Sequence, residues 1–163
     1  MRLLIIRHAA AVERGTPGIA DDDRPLTPGG EKKFERAARG LAEAASRPDA
    51  ILSSPLPRAW RTAEIAAAAF GKLTPQKAPA LLGGGIDDLA RALAGYGADA
   101  TVAIVGHEPH LSGLLADLVG SGRAERLAFR KGGVALVDVP GRLQEGGSLV
   151  FFLTPKLLRA LAG

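Results

Sequence analysis

Short runs of apolar residues alternate with longer segments of mixed polarity along this chain. The runs are too short for buried helices and lack the polar alternation of half-buried strands, so they predict strands that are covered on both faces. They lie at residues 3–6, 50–53, 78–81, 101–105, 134–139 and 148–153. Apolar side chains at helical spacing predict helices at residues 29–46, 58–70, 87–93, 111–119 and 157–161.

This order of elements predicts an α/β fold. Strands that alternate with helices form a mainly parallel sheet between two helical layers, a three-layer αβα sandwich. The last two strands are joined by Pro140 and Gly141, which favour a turn, and we therefore expect them to form an antiparallel edge. No linker or internal repeat divides the chain, so we expect residues 1–163 to form a single domain.

Basic and imidazole side chains follow three of the predicted strands. Arg7 and His8 end the first strand, Arg58 follows the second within a few residues, and His107 follows the fourth. Arg24 lies in the loop after the first strand. The carboxyl ends of parallel strands meet at one edge of the sheet, where helix N-termini and guanidinium groups both suit an anion. The pattern predicts a site for a tetrahedral dianion such as a phosphoryl group.

Composition limits the other classes of function. The net charge is +4 and the pI about 9.8, with fifteen arginines and six lysines, which favours anionic partners. Aromatic residues make up 4% of the chain, too few for a stacking platform, so we expect no nucleic-acid partner. The absence of cysteine excludes disulfides and thiolate metal sites, and no apolar segment approaches the ~20 residues of a membrane span. We expect a cytoplasmic protein that is not attached to a membrane.

The residues around these positions are similar to the motifs of the histidine phosphatase superfamily, which includes phosphoglycerate mutases and acid phosphatases. The matching motifs lie within about residues 1 to 120, in the family's order: Arg7-His8-Ala9, Arg24-Pro25-Leu26-Thr27, Ser53-Ser54-Pro55 with Arg58-Ala59 and Thr62, and Val105-Gly106-His107. Ala9 stands where glycine is commoner. Length and the lack of an inserted helical domain make the chain most similar to the small SixA-like phosphohistidine phosphatases. The resemblance implies a phosphoglycerate mutase-like fold.

The resemblance also implies a phosphatase that needs no metal and no cofactor. His8 is expected to attack phosphorus and to carry a covalent phosphohistidine intermediate, which water then hydrolyses. Arg7, Arg58 and His107 are expected as catalytic residues that hold the phosphoryl oxygens, and Arg24 as a substrate-binding residue. Nearby cations favour the neutral, nucleophilic form of His8.

The general acid is left open by these motifs. Glu108, directly after His107, resembles the histidine–acid pair of the acid phosphatase branch and is also a candidate for substrate binding. The other candidates are the carboxylates Asp21, Asp22, Asp87 and Asp88. Because the bond between phosphorus and imidazole breaks readily, a strong acid is dispensable for a phosphohistidine substrate.

The expected partner is a protein that carries phosphohistidine, since the site has no inserted segment to close over it. A small phosphate ester, such as a sugar phosphate or a nucleotide, is the alternative substrate. Two other classes stay open: a non-catalytic module that binds phosphorylated protein, and a metal-dependent hydrolase built on His8, His107 and His110. We expect the protein to be a monomer.

Overall fold

The computed structural model describes residues 1–163 and contains one six-stranded sheet. Its strands are β1 (Arg2–Arg7), β2 (Ala50–Ser53), β3 (Gln76–Lys77), β4 (Thr101–Gly106), β5 (Val134–Asp138) and β6 (Ser148–Leu153). Their order across the sheet is β3-β2-β4-β1-β5-β6. The first four strands pair in parallel, whereas β5 runs antiparallel to β1 and β6 runs antiparallel to β5. The prediction of a mainly parallel sheet with an antiparallel edge is confirmed.

Five α-helices cover the two faces of the sheet. They are α1 (Pro28–Ala44), α2 (Pro57–Ala69), α3 (Ile86–Leu93), α4 (His110–Leu118) and α5 (Pro155–Leu161). Helices α1, α2 and α5 share one hydrophobic core with the sheet, and α3 and α4 share another on the opposite face. The predicted three-layer α/β sandwich is therefore present. None of the helices combines the length and the apolar character needed to cross a membrane.

The central strand β1 contributes to both cores. Its four apolar residues, 3–6, are fully buried. Leu4 and Ile6 belong to the core under α1, α2 and α5, whereas Leu3 and Ile5 belong to the core under α3 and α4. Successive side chains of a strand point to opposite faces, so a strand between two helical layers must be apolar at every position.

The start of α1 follows its sequence signals and lies beside the end of β1. Thr27 Oγ1 accepts a hydrogen bond of 3.0 Å from the Gly30 amide, and Pro28 occupies the first helical position. Gly30 passes close to the backbone of Ala10, where a Cβ atom would lie 2.1 Å from the carbonyl oxygen. Only glycine permits this approach, which brings the first turn of α1 against the segment that follows His8.

One predicted strand is wrong. Residues 78–81 form no strand; a 3₁₀ helix spans Pro79–Leu82, and the edge strand is the two-residue β3 just before it. Pro79 has no amide hydrogen to donate to a ladder, so strand pairing ends before it. Leu81 is nevertheless buried against the core, which explains why this segment is apolar.

The connection between β5 and β6 is longer than the predicted turn at Pro140 and Gly141. It contains a 3₁₀ helix at Leu143–Glu145, and Leu143 is buried in the core beside α3 and α4. A hydrophobic anchor within the connection therefore replaces a tight hairpin turn.

Candidate active site

A cleft of about 280 Å³ lies at the carboxyl edge of the parallel strands. Strands β1 and β4 are adjacent, with Arg7 opposite Gly106. The next residues, His8 and His107, therefore leave the sheet side by side, and their ring centroids are 5.2 Å apart. The rest of the lining is charged: Arg7, Glu13, Arg14, Arg24, Arg58, Glu108 and Lys131. The fold thus brings all the residues predicted for the site into one cleft.

His8 is a buried, neutral ring whose tautomer the geometry defines. Its Nδ1 lies 2.7 Å from the carbonyl oxygen of Ala9, which can only accept, so Nδ1 carries the proton and Nε2 keeps its lone pair. Burial lowers the pKa of His8 to about 3, and the nearby charges of His107, Arg58 and Arg7 act in the same direction. At neutral pH, Nε2 can therefore act as a nucleophile.

The Ala9 peptide that orients His8 is fixed by α2. Its amide donates to Thr62 Oγ1 at 3.0 Å, and the Thr62 hydroxyl donates to the carbonyl oxygen of Arg58 at 2.7 Å. Thr62 is fully buried, so water does not compete for these bonds. The hydrogen bonds link the position of His8 to that of Arg58.

His107 is held from the other side by the turn after β2. Its Nε2 lies 2.7 Å from the hydroxyl oxygen of Ser54, which is fully buried, whereas its Nδ1 is buried without a partner. Burial lowers the pKa of His107 to about 4, followed by the effect of the positive charge of Arg58. The ring is therefore neutral at neutral pH, and one of its nitrogens is not used within the protein.

In the cleft, Arg58 is buried and Arg7 is half-buried, and the protein satisfies only part of the donors of each. Arg7 Nη1 donates to the carbonyl oxygen of Phe129, and Arg58 Nη1 donates to the carbonyl oxygen of Asp21 at 2.8 Å. The Nε atoms of both guanidinium groups are buried without a partner. Burial lowers the pKa of both groups, but a guanidinium stays charged at neutral pH. Buried cations with unused donors create a site that favours an anion.

Arg24 is positioned by a network centred on Asp21. Its Nε donates to the Asp21 carboxylate at 2.8 Å, and its Nη1 donates to the carbonyl oxygen of Val12 at 2.7 Å. Arg14 forms two bonds with the same carboxylate, at 2.9 and 3.1 Å, and these lower the pKa of Asp21 most. With Arg58 bound to its carbonyl oxygen, Asp21 orients three arginines of the cleft and remains a carboxylate.

Glu108 lines the cleft, but its carboxylate is occupied. One oxygen accepts from the Phe129 amide, and the other accepts from the amide and hydroxyl of Ser112. Because Arg7 donates to the carbonyl oxygen of Phe129, Glu108 supports the segment that holds Arg7. Both oxygens of Glu108 are thus occupied by donors of the protein, which indicates a structural role for this side chain.

The candidate acids Asp22, Asp87 and Asp88 do not line the cleft. Asp87 accepts from Gln144, and Asp88 caps α3 and pairs with Arg91; neither lines the cleft. His110 is exposed on the first turn of α4 and does not line the cleft either. No three histidine, aspartate or glutamate side chains come together in an arrangement that could hold a metal ion.

Three residues of the lining, Glu13, Arg14 and Lys131, were not predicted from the sequence. Glu13 and Arg14 belong to a loop without periodicity, and nothing in their spacing marks them. Lys131 could have been found, because β5 begins opposite Ile6 in an antiparallel pair. The residues that precede such a strand necessarily lie at the carboxyl end of its parallel neighbour.

Comparisons with known proteins agree with this geometry. The sequence model of the histidine phosphatase superfamily (branch 1) matches residues 3–82. An uncharacterised protein of Picosynechococcus is 36% identical over 143 residues, and the match covers 82% of each chain.

Solved structures extend the likeness to the whole chain. The protein assigned as phosphohistidine phosphatase SixA from Agrobacterium tumefaciens has a TM-score of 0.78 and 26% identity, over 94% of this chain and 97% of its own. Protein histidine phosphatase SixA in complex with tungstate has a TM-score of 0.82 over 97% and 99% of the two chains; at 23% identity this is a likeness of fold. The chain belongs to the histidine phosphatase superfamily, has the fold of its SixA-like members, and is a phosphatase.

Proposed function

We propose that this phosphatase hydrolyses phosphohistidine on proteins through a covalent intermediate on His8. The observation that carries the proposal is the state of His8, a neutral ring with a free Nε2 in a cleft that four arginines line. Fixed cations neutralise the oxygens of a phosphoryl group while the attacking nitrogen stays unprotonated. This combination suits nucleophilic attack on phosphorus.

The first step transfers the phosphoryl group to the enzyme. The Nε2 lone pair attacks phosphorus in line, and the bond between phosphorus and the substrate's imidazole nitrogen breaks, its electron pair staying on that nitrogen. In the second step water attacks the phosphorus and gives a proton to the surrounding solvent. The bond between phosphorus and Nε2 breaks, its electron pair returns to Nε2, and inorganic phosphate is released. The Ala9 carbonyl, by fixing the proton on Nδ1, keeps Nε2 unprotonated for the attack and again after the phosphoryl group has left.

Unused donors of the cleft would hold the phosphoryl oxygens. Arg7 Nε, Arg58 Nε and His107 Nδ1 are buried and lack an acceptor within the protein. A buried donor without an acceptor is costly, and a phosphoryl oxygen would supply the missing partner as negative charge develops. Arg24, held by Asp21, adds positive charge to the lining of the cleft.

Ser54 gives His107 the tautomer that this role requires. If the Ser54 hydroxyl donates to Nε2, the proton of the neutral ring resides on Nδ1, which then donates to a phosphoryl oxygen. The opposite tautomer would present a lone pair to that oxygen and repel it. Ser54 is thus a positioning residue that acts through His107.

The shape of the cleft and the contacts of Glu108 support phosphohistidine as the substrate class. The rim residues Glu13, Arg14 and Lys131 are exposed, so an imidazole on the surface of a folded protein can reach the cleft. Both carboxylate oxygens of Glu108 accept hydrogen bonds from the protein, and an imidazole leaving group needs little help from an acid. The similar structure from Agrobacterium tumefaciens is assigned as a phosphohistidine phosphatase, which supports the same substrate class.

The test compares turnover of two substrates. Wild type, His8→Ala and the matched control His110→Ala are mixed, with chelator present, with a histidine-phosphorylated protein and with a small phosphate ester. We expect phosphate release from the phosphoprotein by wild type and His110→Ala, and none by His8→Ala. Release from the ester alone, still dependent on His8, would replace the proposed substrate by a small ester. Binding of the phosphoprotein without release of phosphate would favour a binding module.

A further inference from the structure

A shallow depression of about 60 Å³ adjoins the cleft. Lys131 lines both, and Ala9, the neighbour of His8, forms part of the wall of the depression. Three cations, Lys33, Lys131 and Arg159, line it, and no carboxylate does. We refer to these three residues as the basic patch. The positive surface of the cleft thus continues beyond the space that a phosphoryl group fills.

The fold holds the basic patch against the cleft. The Gly132 amide donates to the carbonyl oxygens of both Arg7 and His8 at 3.1 Å, so Lys131 lies one residue from a backbone contact with the catalytic pair. Gly132 has a φ of 79°, and a Cβ there would lie 3.1 Å from the ring of Phe34. The positive φ favours glycine, the contact with Phe34 leaves little room for a side chain, and together they bring Lys131 next to the helix that carries Lys33.

The third member of the patch is fixed by the packing of α5 on α1. Gly40 of α1 touches the backbone of α5, since a Cβ at this position would lie 1.8 Å from the Leu158 carbonyl oxygen. Arg159 follows Leu158 directly, and Pro155 at the start of the same helix lines the depression. The three cations come from separate parts of the chain but share one rigid support.

The charges of the basic patch are not neutralised within the chain. None of the three side chains forms an ion pair or a hydrogen bond, whereas Arg2, Arg61, Arg91 and Arg142 all pair with nearby carboxylates. Lys33 and Lys131 are exposed and Arg159 is half-buried. Free, exposed cations beside a substrate cleft attract acidic groups and steer an acidic partner toward it.

We propose that the basic patch binds carboxylates on the surface of the phosphoprotein substrate, next to its phosphohistidine. This inference rests on the proposed function. The depression is far smaller than the roughly 300 Å³ of a typical small-molecule pocket, so it fits side chains of an opposing surface. Its one aromatic residue, Phe34, is buried and offers no face on which a nucleic-acid base could stack. An acidic protein surface is the partner that remains.

The experiment uses three phosphohistidine peptides that differ only in flanking residues: glutamate, alanine or lysine. The variant Lys33→Glu/Arg159→Glu reverses two charges of the patch. Its matched control, Lys32→Glu/Lys156→Glu, makes the same change on the same two helices at exposed lysines outside the depression. The readout is the ratio of kcat/KM between the glutamate-flanked and lysine-flanked peptides at low ionic strength.

Wild type and the control are expected to prefer the glutamate-flanked peptide by about tenfold or more, the lower end of electrostatic steering. The patch variant is expected to lose or invert this preference, and about 0.15 M salt to weaken it in wild type. Equal rates for the flanked peptides in wild type, or the same loss in both variants, would overturn the proposal. An oligonucleotide that inhibits wild type and the control but not the patch variant would also overturn the proposal. Such a result would mean that the basic patch binds nucleic acid. Failure of wild type to hydrolyse any of the three peptides would instead overturn the proposed function.

Discussion

The two edges of the parallel sheet both carry a polar groove, and they differ in how their charges are used. At the amino edge, a groove of about 520 Å³ lies beside Met1, Arg2 and Asp138. Arg2 pairs with Asp138 at 2.9 Å, and the Met1 amino group donates to the carbonyl oxygen of Val139 at 2.7 Å. At the carboxyl edge the cleft is about half as large, about 280 Å³, yet Arg7 and Arg58 retain buried donors without partners.

This difference shows that unpaired charge, not volume, distinguishes a catalytic cleft from a surface groove. A buried guanidinium donor without an acceptor costs free energy, and a bound anion that supplies the acceptor would offset this cost. At the amino edge the cations, Arg2 and the Met1 amino group, already have their partners within the chain. The comparison predicts that substitutions at the carboxyl edge act on catalysis, whereas equivalent substitutions at the amino edge do not.

The largest effect is expected from removing one of the unpaired arginines. Arg58→Ala should lower kcat by about 10² to 10³, the usual loss when one donor to a transition-state oxyanion is removed. Arg58→Lys should recover only part of the rate, because lysine keeps the charge but lacks the planar fork. Steady-state phosphate release measures both, with Arg2→Ala at the amino edge as the control. A comparable loss in Arg2→Ala would remove the distinction between the two edges.

The buried histidines at the carboxyl edge should make the folded state less stable in acid. Their folded-state pKa values, about 3 for His8 and about 4 for His107, lie below the 6.5 of an unfolded imidazole. Between these values the unfolded chain binds more protons, so stability is complete above about pH 6.5 and falls as the pH decreases.

Urea unfolding at about pH 7.5 and about pH 5 measures this effect. Each buried histidine should cost about 2 kcal/mol between these two pH values, so His8→Phe, which cannot titrate, should lose less stability than wild type on acidification. An identical pH dependence in wild type and His8→Phe would mean that the His8 ring is not held neutral by the fold.

A smaller effect is expected at Ser54. Ser54→Ala removes the bond to His107 and should lower kcat roughly tenfold with little change in KM, about the value of one hydrogen bond. Ser53→Ala is the matched control, since the Ser53 hydroxyl donates only to the backbone carbonyl of Ser54. The ¹⁵N shifts of His107 should also change in Ser54→Ala. Altered kinetics with unchanged ¹⁵N shifts would contradict a role through the tautomer.

The smallest effect is expected at Glu108. It distinguishes a general acid from a residue that supports Arg7. Glu108→Gln should reduce the rate roughly threefold, because one acceptor for Ser112 is lost. If Glu108 supports Arg7, this substitution should slow the hydrolysis of phosphohistidine and of ester substrates alike. A loss confined to esters with strongly basic leaving groups would show that Glu108 is a general acid after all.

Much of the fold follows from local patterns in the sequence. The strand bounds at 50–53 and 148–153 are as predicted, and the helix bounds agree within two residues. The exceptions are the segments at Pro79 and Leu143. In each of them a buried leucine lies in a 3₁₀ helix, where the sequence predicted a strand or a tight turn. An apolar run indicates that a segment is buried, but a short run does not determine whether the segment is a strand or a helix.

Strand order alone predicted the candidate site where its residues follow strands, whereas Arg24 of the loop was predicted from the motif it resembles. Arg7, His8 and His107 could be brought together because the register of parallel strands is a local rule. Asp21 could not be identified as the residue that orients three arginines, because its bonds to Arg14, Arg24 and Arg58 depend on how the loop folds back. Lone charges in a loop have no periodicity from which contacts can be inferred.

The proposed mechanism depends above all on a phosphoryl group that resides on His8. A histidine-phosphorylated protein with a radiolabelled phosphoryl group is mixed with wild type and quenched in alkali within the first turnover, and the labelled peptide is identified by mass spectrometry. This mechanism predicts acid-labile, alkali-stable label on the peptide that contains His8. The amount of this label should rise and then fall as inorganic phosphate appears. Turnover without label on the enzyme, or label on a different residue, would contradict it.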